Sequence, residues 1–198
     1  MDEGLSVRVD KQVMSLLTIS VWFNLICIVL LAALNLVRFF RGDFGAAPEE
    51  GASGGLFSSE TLLLLCVVCA VWLVLRTLNL LRVRRRMEQV YLRVGGGAVS
   101  GVSLPEPSRA SREYPNGRPF TLDIASLTEV SSKEIVIVGK QLAPALMLKA
   151  GEAGYVVPGI ANLEEIKKRL QQGMEAARAQ EQAAAPEDRG PERTPFGR

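Results

Sequence analysis

Residue types that support catalysis are scarce in this chain, and the spacing that most suggests a reactive pair is Cys66-Val-Val-Cys69. In a C-x-x-C motif, the thiolate becomes reactive when it lies at a helix N-terminus or beside a cation. Here both cysteines lie inside an apolar run, and apolar surroundings disfavour the thiolate. We therefore expect them to pack against a neighbouring helix. A membrane thiol oxidoreductase is the least favoured of three functional hypotheses.

Other catalytic groups are absent or isolated. The chain has no histidine, which excludes Ser-His-Asp and Cys-His nucleophile pairs and histidine-bearing zinc sites. The carboxylates of Asp123, Glu129 and Glu134 border predicted strands, and nothing pairs them for acid–base catalysis. The glycine run at 95–97 lacks the lysine and the helix of a phosphate-binding loop, and it predicts a turn. The sequence thus predicts a protein that is not an enzyme and needs no cofactor or metal.

The composition indicates a membrane protein with a modest soluble part. Of the 198 residues, 48% are hydrophobic, and these are concentrated before residue 82. The net charge of +2 is too small, and the basic residues too localised, to indicate nucleic-acid binding. Cys27, Cys66 and Cys69 all lie in apolar runs, so the soluble part has no disulfide framework, as is typical of a reducing cytoplasm.

Two apolar stretches predict transmembrane helices at 13–37 and 61–81. As a helix, the first would be roughly 37 Å long, enough to cross a hydrocarbon core of ~30 Å. A cleaved signal peptide is the alternative, but its apolar region should be shorter, and the two acidic residues near the start do not suit a basic leader. Residues 1–12 form a short N-terminal segment, and the Gly-, Ser- and acid-containing residues 38–60 predict a loop.

The distribution of Lys and Arg predicts the orientation of this hairpin. Two basic residues before the first span agree with a cytoplasmic N-terminus, and two after it disagree. The strongest signal is the juxtamembrane segment 82–86, which contains Arg82, Arg84, Arg85 and Arg86. We expect both termini in the cytoplasm, at a plasma or bacterial inner membrane, with a short loop outside. The same arginines could also bind anionic lipid head groups, at about 1 kcal/mol per residue.

Polar and small side chains recur at helical spacing along one face of each span. In lipid, such groups are best placed against another helix, where each contact contributes about 0.6 to 2 kcal/mol. We expect these faces to pack the hairpin together or against a second copy. The alternative is that Asn35 and Arg76 line a surface for a partner helix or a polar path. The predicted contact residues are Ser20, Asn24, Cys27, Leu31 and Asn35 on the first span, and Cys66, Cys69, Leu73, Arg76 and either Asn79 or Leu80 on the second.

Residues 87–172 predict a small β-domain. MEQVYLRV, which begins at residue 87, and AVSGVSL predict a hairpin around the glycine run. A long polar loop follows at 104–119 and contains Tyr114, a candidate contact for a partner. Further strands are predicted in PFTLDI, SLTEV and EIVIV, and at 140–148 and 154–157.

A helix is predicted to close this domain. Asn162 is placed to cap it, and Leu163, Ile166 and Leu170 form an apolar stripe that could cover a small sheet. Residues 173–198 predict a helix extension followed by a disordered tail.

Three segments carry a resemblance to a known family: VYLRV at the start of the domain, FTLDIASLTEV in its middle and IANLEEIKKRL at its end. With six or seven short strands and one final helix, they resemble the pleckstrin-homology (PH-like) domain. The whole chain resembles bacterial membrane proteins that attach such a domain to a two-helix hairpin. This implies a membrane α-helical hairpin plus a small β-rich PH-like domain with one C-terminal helix.

The resemblance implies a scaffolding function. Phosphoinositide-binding members use several cations on the first strand and loop, whereas Arg93 is alone in the corresponding stretch, so that site does not carry over. Bacterial relatives use the domain for self-association and for scaffolding membrane complexes. We therefore expect a non-enzymatic membrane protein that scaffolds or regulates a membrane protein complex. Its partners would be membrane lipids and either another membrane protein or a second copy. The alternative is an anionic-lipid-sensing module that uses the juxtamembrane arginines.

Overall fold

The structure, a computed structural model, describes residues 5–41 and 59–184. Most of the predicted 38–60 loop and the predicted tail from residue 185 lie outside these residues. The described chain contains three α-helices, α1 (Lys11–Phe40), α2 (Ser59–Glu88) and α3 (Leu163–Ala184). It also contains seven strands: β1 (Leu5–Arg8), β2 (Tyr91–Gly95), β3 (Ala98–Ser103), β4 (Arg118–Asp123), β5 (Glu129–Val138), β6 (Gln141–Ala150) and β7 (Ala153–Pro158).

Helices α1 and α2 pack against each other, and both are long and apolar enough to cross a membrane. Each has 30 residues and is therefore about 45 Å long. Asp10 is the N-cap of α1, and its carboxylate accepts a hydrogen bond from the Gln12 backbone N–H at 2.8 Å. Most side chains of both helices are exposed, unlike those of a core helix in a soluble protein. The predicted pair of long apolar helices is confirmed.

Helix α2 extends beyond the end of the predicted span, and the strand predicted to begin at Met87 starts later. Residues 82–86 belong to the helix, which ends at Glu88, and β2 begins at Tyr91. The side chains of Val83 and Met87, one helical turn apart, are completely buried in the core. This burial favours the helix over the strand that the local alternation of MEQVYLRV predicts.

Strand β1 connects the N-terminal segment to the β-domain. It pairs antiparallel with β2, with Leu5 opposite Val94, in a sheet of order β1-β2-β3-β4. Just after β1, Val9 forms an antiparallel bridge with Ile160, next to α3. The sequence predicts only a short segment at 1–12, because four residues are too few to show a strand pattern. The residues before α1 and after α2 therefore lie at the same end of the helix pair.

The glycine run and the long loop occupy their predicted places. Gly96 and Gly97 connect β2 to β3 with φ of 62° and 76°, values that favour glycine. Residues 104–117 connect β3 to β4. At the start of this loop, the Leu104 N–H donates a hydrogen bond to the backbone oxygen of Val156 at 2.7 Å, which fixes the loop to β7.

A second antiparallel sheet has the order β5-β6-β7. The strand predicted in SLTEV, residues 126–130, is wrong in its first three residues. Ser126 ends a 3-10 turn at Ile124–Ser126, and Leu127 and Thr128 have no regular secondary structure. The Asp123 carboxylate stabilises this turn by accepting a hydrogen bond from the Ala125 N–H at 3.1 Å. β5 then begins at Glu129 and continues through EIVIV, the strand with the clearest sequence pattern.

Helix α3 closes the β-domain, as predicted. Its buried side chains are those of Ile166, Leu170 and Met174, so the stripe extends past residue 172, the predicted end of the domain. Asn162 precedes the helix with φ of 56°, a conformation that asparagine tolerates. Its backbone oxygen accepts the Ile166 N–H at 3.1 Å and so starts the helical hydrogen-bond pattern.

The base of the helix pair and the β-domain share one hydrophobic core. Leu17 and Val21 of α1 and Leu80 and Val83 of α2 belong to the same buried cluster as side chains from both sheets and α3. The β-domain is therefore packed directly against the helices, with no flexible linker in the described residues between α2 and β2.

Candidate functional site

Two of the four juxtamembrane arginines have partners within the protein. Arg84 Nε lies 3.1 Å from Glu88 Oε1, one turn later on α2. Arg86 Nη1 donates a hydrogen bond to the backbone oxygen of Pro107, 2.9 Å away in the 104–117 loop. These two side chains stabilise the end of α2 and its contact with the loop, and they are correspondingly less available to an external ligand.

The other two, Arg82 and Arg85, are exposed and make no hydrogen bond or ion pair with any residue that the structure describes. They are three residues apart, so they lie on neighbouring positions of one helical face. Arg8 and Lys11, at the same end of the helix pair, are also exposed. This group of cations is suited to anionic head groups. Of its members, the sequence predicts only Arg82 and Arg85 as part of a lipid site, and Arg8 and Lys11 are additional.

The buried side chains of the helix pair follow one face of each helix. Side chains three and four residues apart on a helix share a face, and this spacing recurs on both helices. The buried residues are Leu17, Val21 and Asn24 on α1, and Leu73, Thr77, Leu80, Val83 and Met87 on α2. Of the predicted contact residues, Asn24, Leu73 and Leu80 lie on these faces, and Cys27, Leu31 and Asn35 are partly buried.

The two predicted asparagines of α1, Asn24 and Asn35, each leave a polar atom unsatisfied among the described residues. Asn24 is 2% exposed, and its Nδ2 has no hydrogen-bond partner among the described residues. Asn35 Nδ2 donates to the Leu31 backbone oxygen at 2.8 Å, but its buried Oδ1 has no partner in the same set. Such atoms are costly in an apolar environment.

Arg76 is exposed, and Thr77 takes the buried position next to it. The Arg76 guanidinium lies 5.2 Å from the centre of the Trp72 ring, a cation–π distance. The Thr77 hydroxyl donates to the Leu73 backbone oxygen at 2.8 Å. Asn79 is partly buried. A shift of one residue turns a side chain by about 100° around a helix, so sequence spacing alone cannot decide between positions 76 and 77.

Cys66, Cys69 and Cys27 are free and partly buried. Cys66 and Cys69 precede Leu73 at helical spacing, which agrees with helix packing. Within residues 5–41 and 59–184, no three Cys, Asp or Glu side chains come together in a way that could hold a metal ion.

Ser20 contacts the β-domain. Its hydroxyl donates to the Leu16 backbone oxygen at 2.9 Å and accepts a hydrogen bond from Gln141 Nε2 at 2.7 Å. Gln141 begins β6, so the tip of the β5–β6 hairpin reaches α1 beside Ser20. The two residues are 121 positions apart, and no local pattern in the sequence predicts their contact.

A groove of about 520 Å³ lies between the 104–117 loop and the neighbouring ends of β4 and β7. Arg109 and Arg118 contribute its cations. Arg109 Nη1 lies 3.6 Å from Glu106 Oε2, and the Arg118 guanidinium lies 5.6 Å from the centre of the Tyr155 ring. The sequence did not predict the groove, because the loop and β7 are far apart in the chain.

Tyr114, the aromatic residue singled out in the polar loop, also lines this groove. The Tyr114 side chain forms a hydrogen bond with the Glu113 carboxylate. This bond and the negative charge of the carboxylate raise the pKa of Tyr114 above the usual tyrosine value of 10.0. The phenol is therefore a neutral hydrogen-bond donor at physiological pH. Its backbone oxygen accepts the Gly117 N–H at 3.2 Å, which forms the predicted Asn-Gly turn.

Comparisons with known proteins add no assignment to this geometry. No protein-family model, curated protein or solved structure matches the chain. The argument for a function therefore depends on the contacts, burial and charges described above.

Proposed function

We propose that this chain is an integral membrane protein with α1 and α2 as its two spans and both flanks in the cytoplasm. The exposed apolar surface of the helices supports the spans. Pairing of β1 with β2 requires both flanks on one side, and the arginines near the end of α2 favour the cytoplasm. A cleaved leader is disfavoured because Leu17 and Val21 of α1 belong to the core.

The β-domain is PH-like in this proposal. Its seven described strands and closing helix agree with the number of elements on which the resemblance depends. One feature is particular to this chain: the first strand precedes the helix pair, so both spans are inserted between the first and second strands of the domain.

The protein is a non-enzymatic scaffold or regulator of a membrane protein complex. The observation that carries this proposal is the shared core of Leu17, Val21, Leu80 and Val83 with the β-domain. A domain packed on its own spans is held at a constant position and angle above the membrane. That property suits a scaffold, which must present one surface to a partner in a defined orientation.

The groove beside the 104–117 loop is the docking surface for a segment of the partner protein. Tyr114, Arg109 and Arg118 belong to two of the three residue types, tryptophan, tyrosine and arginine, that are enriched among the residues that dominate binding energy at protein interfaces. Attachment of this loop to α2 through Arg86 and Pro107 couples the groove to the second span.

Purification of the tagged full chain from native membranes in mild detergent tests this function. We expect a stoichiometric protein partner that is lost with Tyr114→Ala and Arg118→Ala together. It should be retained with Lys168→Ala, an exposed change on α3 away from the groove. Absence of any stoichiometric protein, or full retention by the groove variant, would contradict the proposal.

Anionic-lipid sensing is the second candidate, and it is favoured by Arg82 and Arg85, which are exposed and have no partner among residues 5–41 and 59–184. Native mass spectrometry of the intact protein would then show bound phosphatidylglycerol or cardiolipin. Replacing both Arg82 and Arg85 with glutamine should remove this lipid, whereas Arg84→Gln should not, because Arg84 is paired with Glu88. A lone homo-oligomer that retains such lipid would favour this candidate over the scaffold.

A further inference from the structure

Few large apolar side chains of the β-domain are exposed. Among the described residues outside α1 and α2, these are Tyr91, Val136 and Leu142. Val136 on β5 lies directly opposite Leu142 on β6, and the two are 50% and 55% exposed. Opposite residues of an antiparallel pair project from the same face of a sheet. Together they form one apolar patch, here called the tip patch, near the end of the β5–β6 hairpin.

The tip patch is confined to the end of the hairpin. Farther from the tip on the same face, exposed Glu134 lies opposite exposed Pro144. At the turn itself, Lys140 is exposed. An apolar pair with a long, flexible cation beside it suits a boundary between lipid and water, where lysine can extend its amino group toward phosphates.

The contact between Gln141 and Ser20 sets the level of the tip along α1. Ser20 lies roughly 14 Å along the helix axis from Lys11, at about 1.5 Å per residue. In the proposed topology, Arg38, near the far end of α1, marks the outer boundary of the hydrocarbon core. A hydrocarbon core of ~30 Å spans about 20 helical residues, so its inner boundary lies near residue 18. Ser20 and the hairpin tip therefore lie at the edge of the hydrocarbon core.

Helix α1 carries exposed apolar side chains at the same level. Ile19 and Trp22, one residue before and two residues after Ser20, are each 63% exposed. In the two-span topology these side chains contact lipid. The surface of the lipid bilayer is therefore the apolar partner that we expect to cover the tip patch.

We infer that the β5–β6 hairpin is a third membrane-contacting element of this protein. It inserts Val136 and Leu142 into the lipid surface beside α1 and places the Lys140 amino group among the head-group phosphates. This inference rests on the proposed two-span topology. It gives the β-domain an attachment to the membrane in addition to the core that it shares with α1 and α2.

Spin labels on the full-length protein in vesicles can measure this depth. Cys27, Cys66 and Cys69 are replaced with alanine, and one new cysteine is introduced as Leu142→Cys, Ser132→Cys or Leu30→Cys in separate variants. Ser132 lies on the same face as Val136, roughly 13 Å farther from the tip, and Leu30 is an exposed position within α1. After nitroxide labelling and reconstitution in phosphatidylcholine and phosphatidylglycerol, accessibility to oxygen reports lipid and accessibility to a nickel chelate reports water. Unchanged gel-filtration behaviour confirms that each variant is folded.

The expected result is a higher ratio of oxygen to nickel accessibility at 142 than at 132, approaching the ratio at 30. A water-like ratio at 142 with a lipid-like ratio at 30 would overturn the insertion of the hairpin and leave the two-span topology intact. Lipid-like ratios at both 142 and 132 would also overturn it, because the whole domain would then lie in the membrane surface. A water-like ratio at 30 would refute the topology itself, and the inference with it.

Discussion

The Arg86 guanidinium donates a hydrogen bond to the backbone oxygen of Pro107, 2.9 Å away. This bond joins the last turns of α2 to the loop that forms one wall of the groove. A movement of α2 can therefore be transmitted to the groove through this hydrogen bond.

Replacing Arg86 with glutamine should loosen the loop. We expect a loss of about 1 kcal/mol in the free energy of unfolding, since a partly buried hydrogen bond from a charged group is removed. Hydrogen exchange should become faster in residues 104–117. Arg85→Gln is the matched control, because Arg85 is exposed and unpartnered in the described chain. Equal effects of the two changes would indicate that the Arg86 bond does not hold the loop.

Strand β1 should be required for the stability of the β-domain. Val7 lies opposite Leu92 and packs against the core, so Val7→Asp places a carboxylate in an apolar environment. We expect a cost of about 1–3 kcal/mol in thermal or denaturant unfolding. Ser6→Asp, on the exposed side of the same strand and opposite Arg93, should have almost no effect. Similar stability for both variants would mean that β1 is dispensable.

Gly101 is expected to tolerate no side chain. A Cβ at this position of β3 would lie 2.6 Å from the Tyr91 backbone oxygen and 3.3 Å from Leu92 Cδ1. Gly101→Ala should therefore cost about 1–3 kcal/mol of unfolding free energy through overpacking. At Gly154 a Cβ would meet nothing within 4 Å, so Gly154→Ala should be nearly neutral. An equally neutral Gly101→Ala would show that β2 and β3 can separate slightly without cost.

Asn24→Leu should not destabilise the helix pair. The change removes a buried amide whose Nδ2 lacks a partner in the described chain, and it keeps a similar volume. We expect unfolding in detergent or lipid to be unchanged, or the protein to be more stable by about 1 kcal/mol. Val21→Ala, one turn earlier on the same buried face, should be destabilising and shows that the assay detects lost packing. A marked loss of stability with Asn24→Leu would mean that the amide has a partner, such as a second copy.

The sequence predicts the helices better than the contacts among them. Helices α1, α2 and α3 are long, and each carries its own pattern of apolar residues, so the local sequence is sufficient to predict them. The strand at 5–8 and the contact between Ser20 and Gln141 depend on residues distant in the chain, and local information cannot reveal them. The end of α2 was misplaced for the same reason, since burial of Met87 in a distant core decides it.

The same holds for the candidate site: the local sequence predicts its residues, but only the fold shows which of them come together. The cluster of arginines is evident in the sequence, but the separation of Arg84 and Arg86 from Arg82 and Arg85 needs the positions of Glu88 and the loop. The groove and the tip patch were not predicted, because both form between segments that only the fold brings together.

The place of β1 before the spans has a consequence during synthesis of the protein. Leu5 leaves the ribosome early, but its partner Val94 is made only after both helices. In a membrane, a chain that inserted one span alone would leave β1 and β2 on opposite sides and could not complete its four-stranded sheet. Its uncovered core would be exposed to chaperones and proteases. In the proposed two-span topology, this sheet can therefore close only in chains that have inserted both α1 and α2.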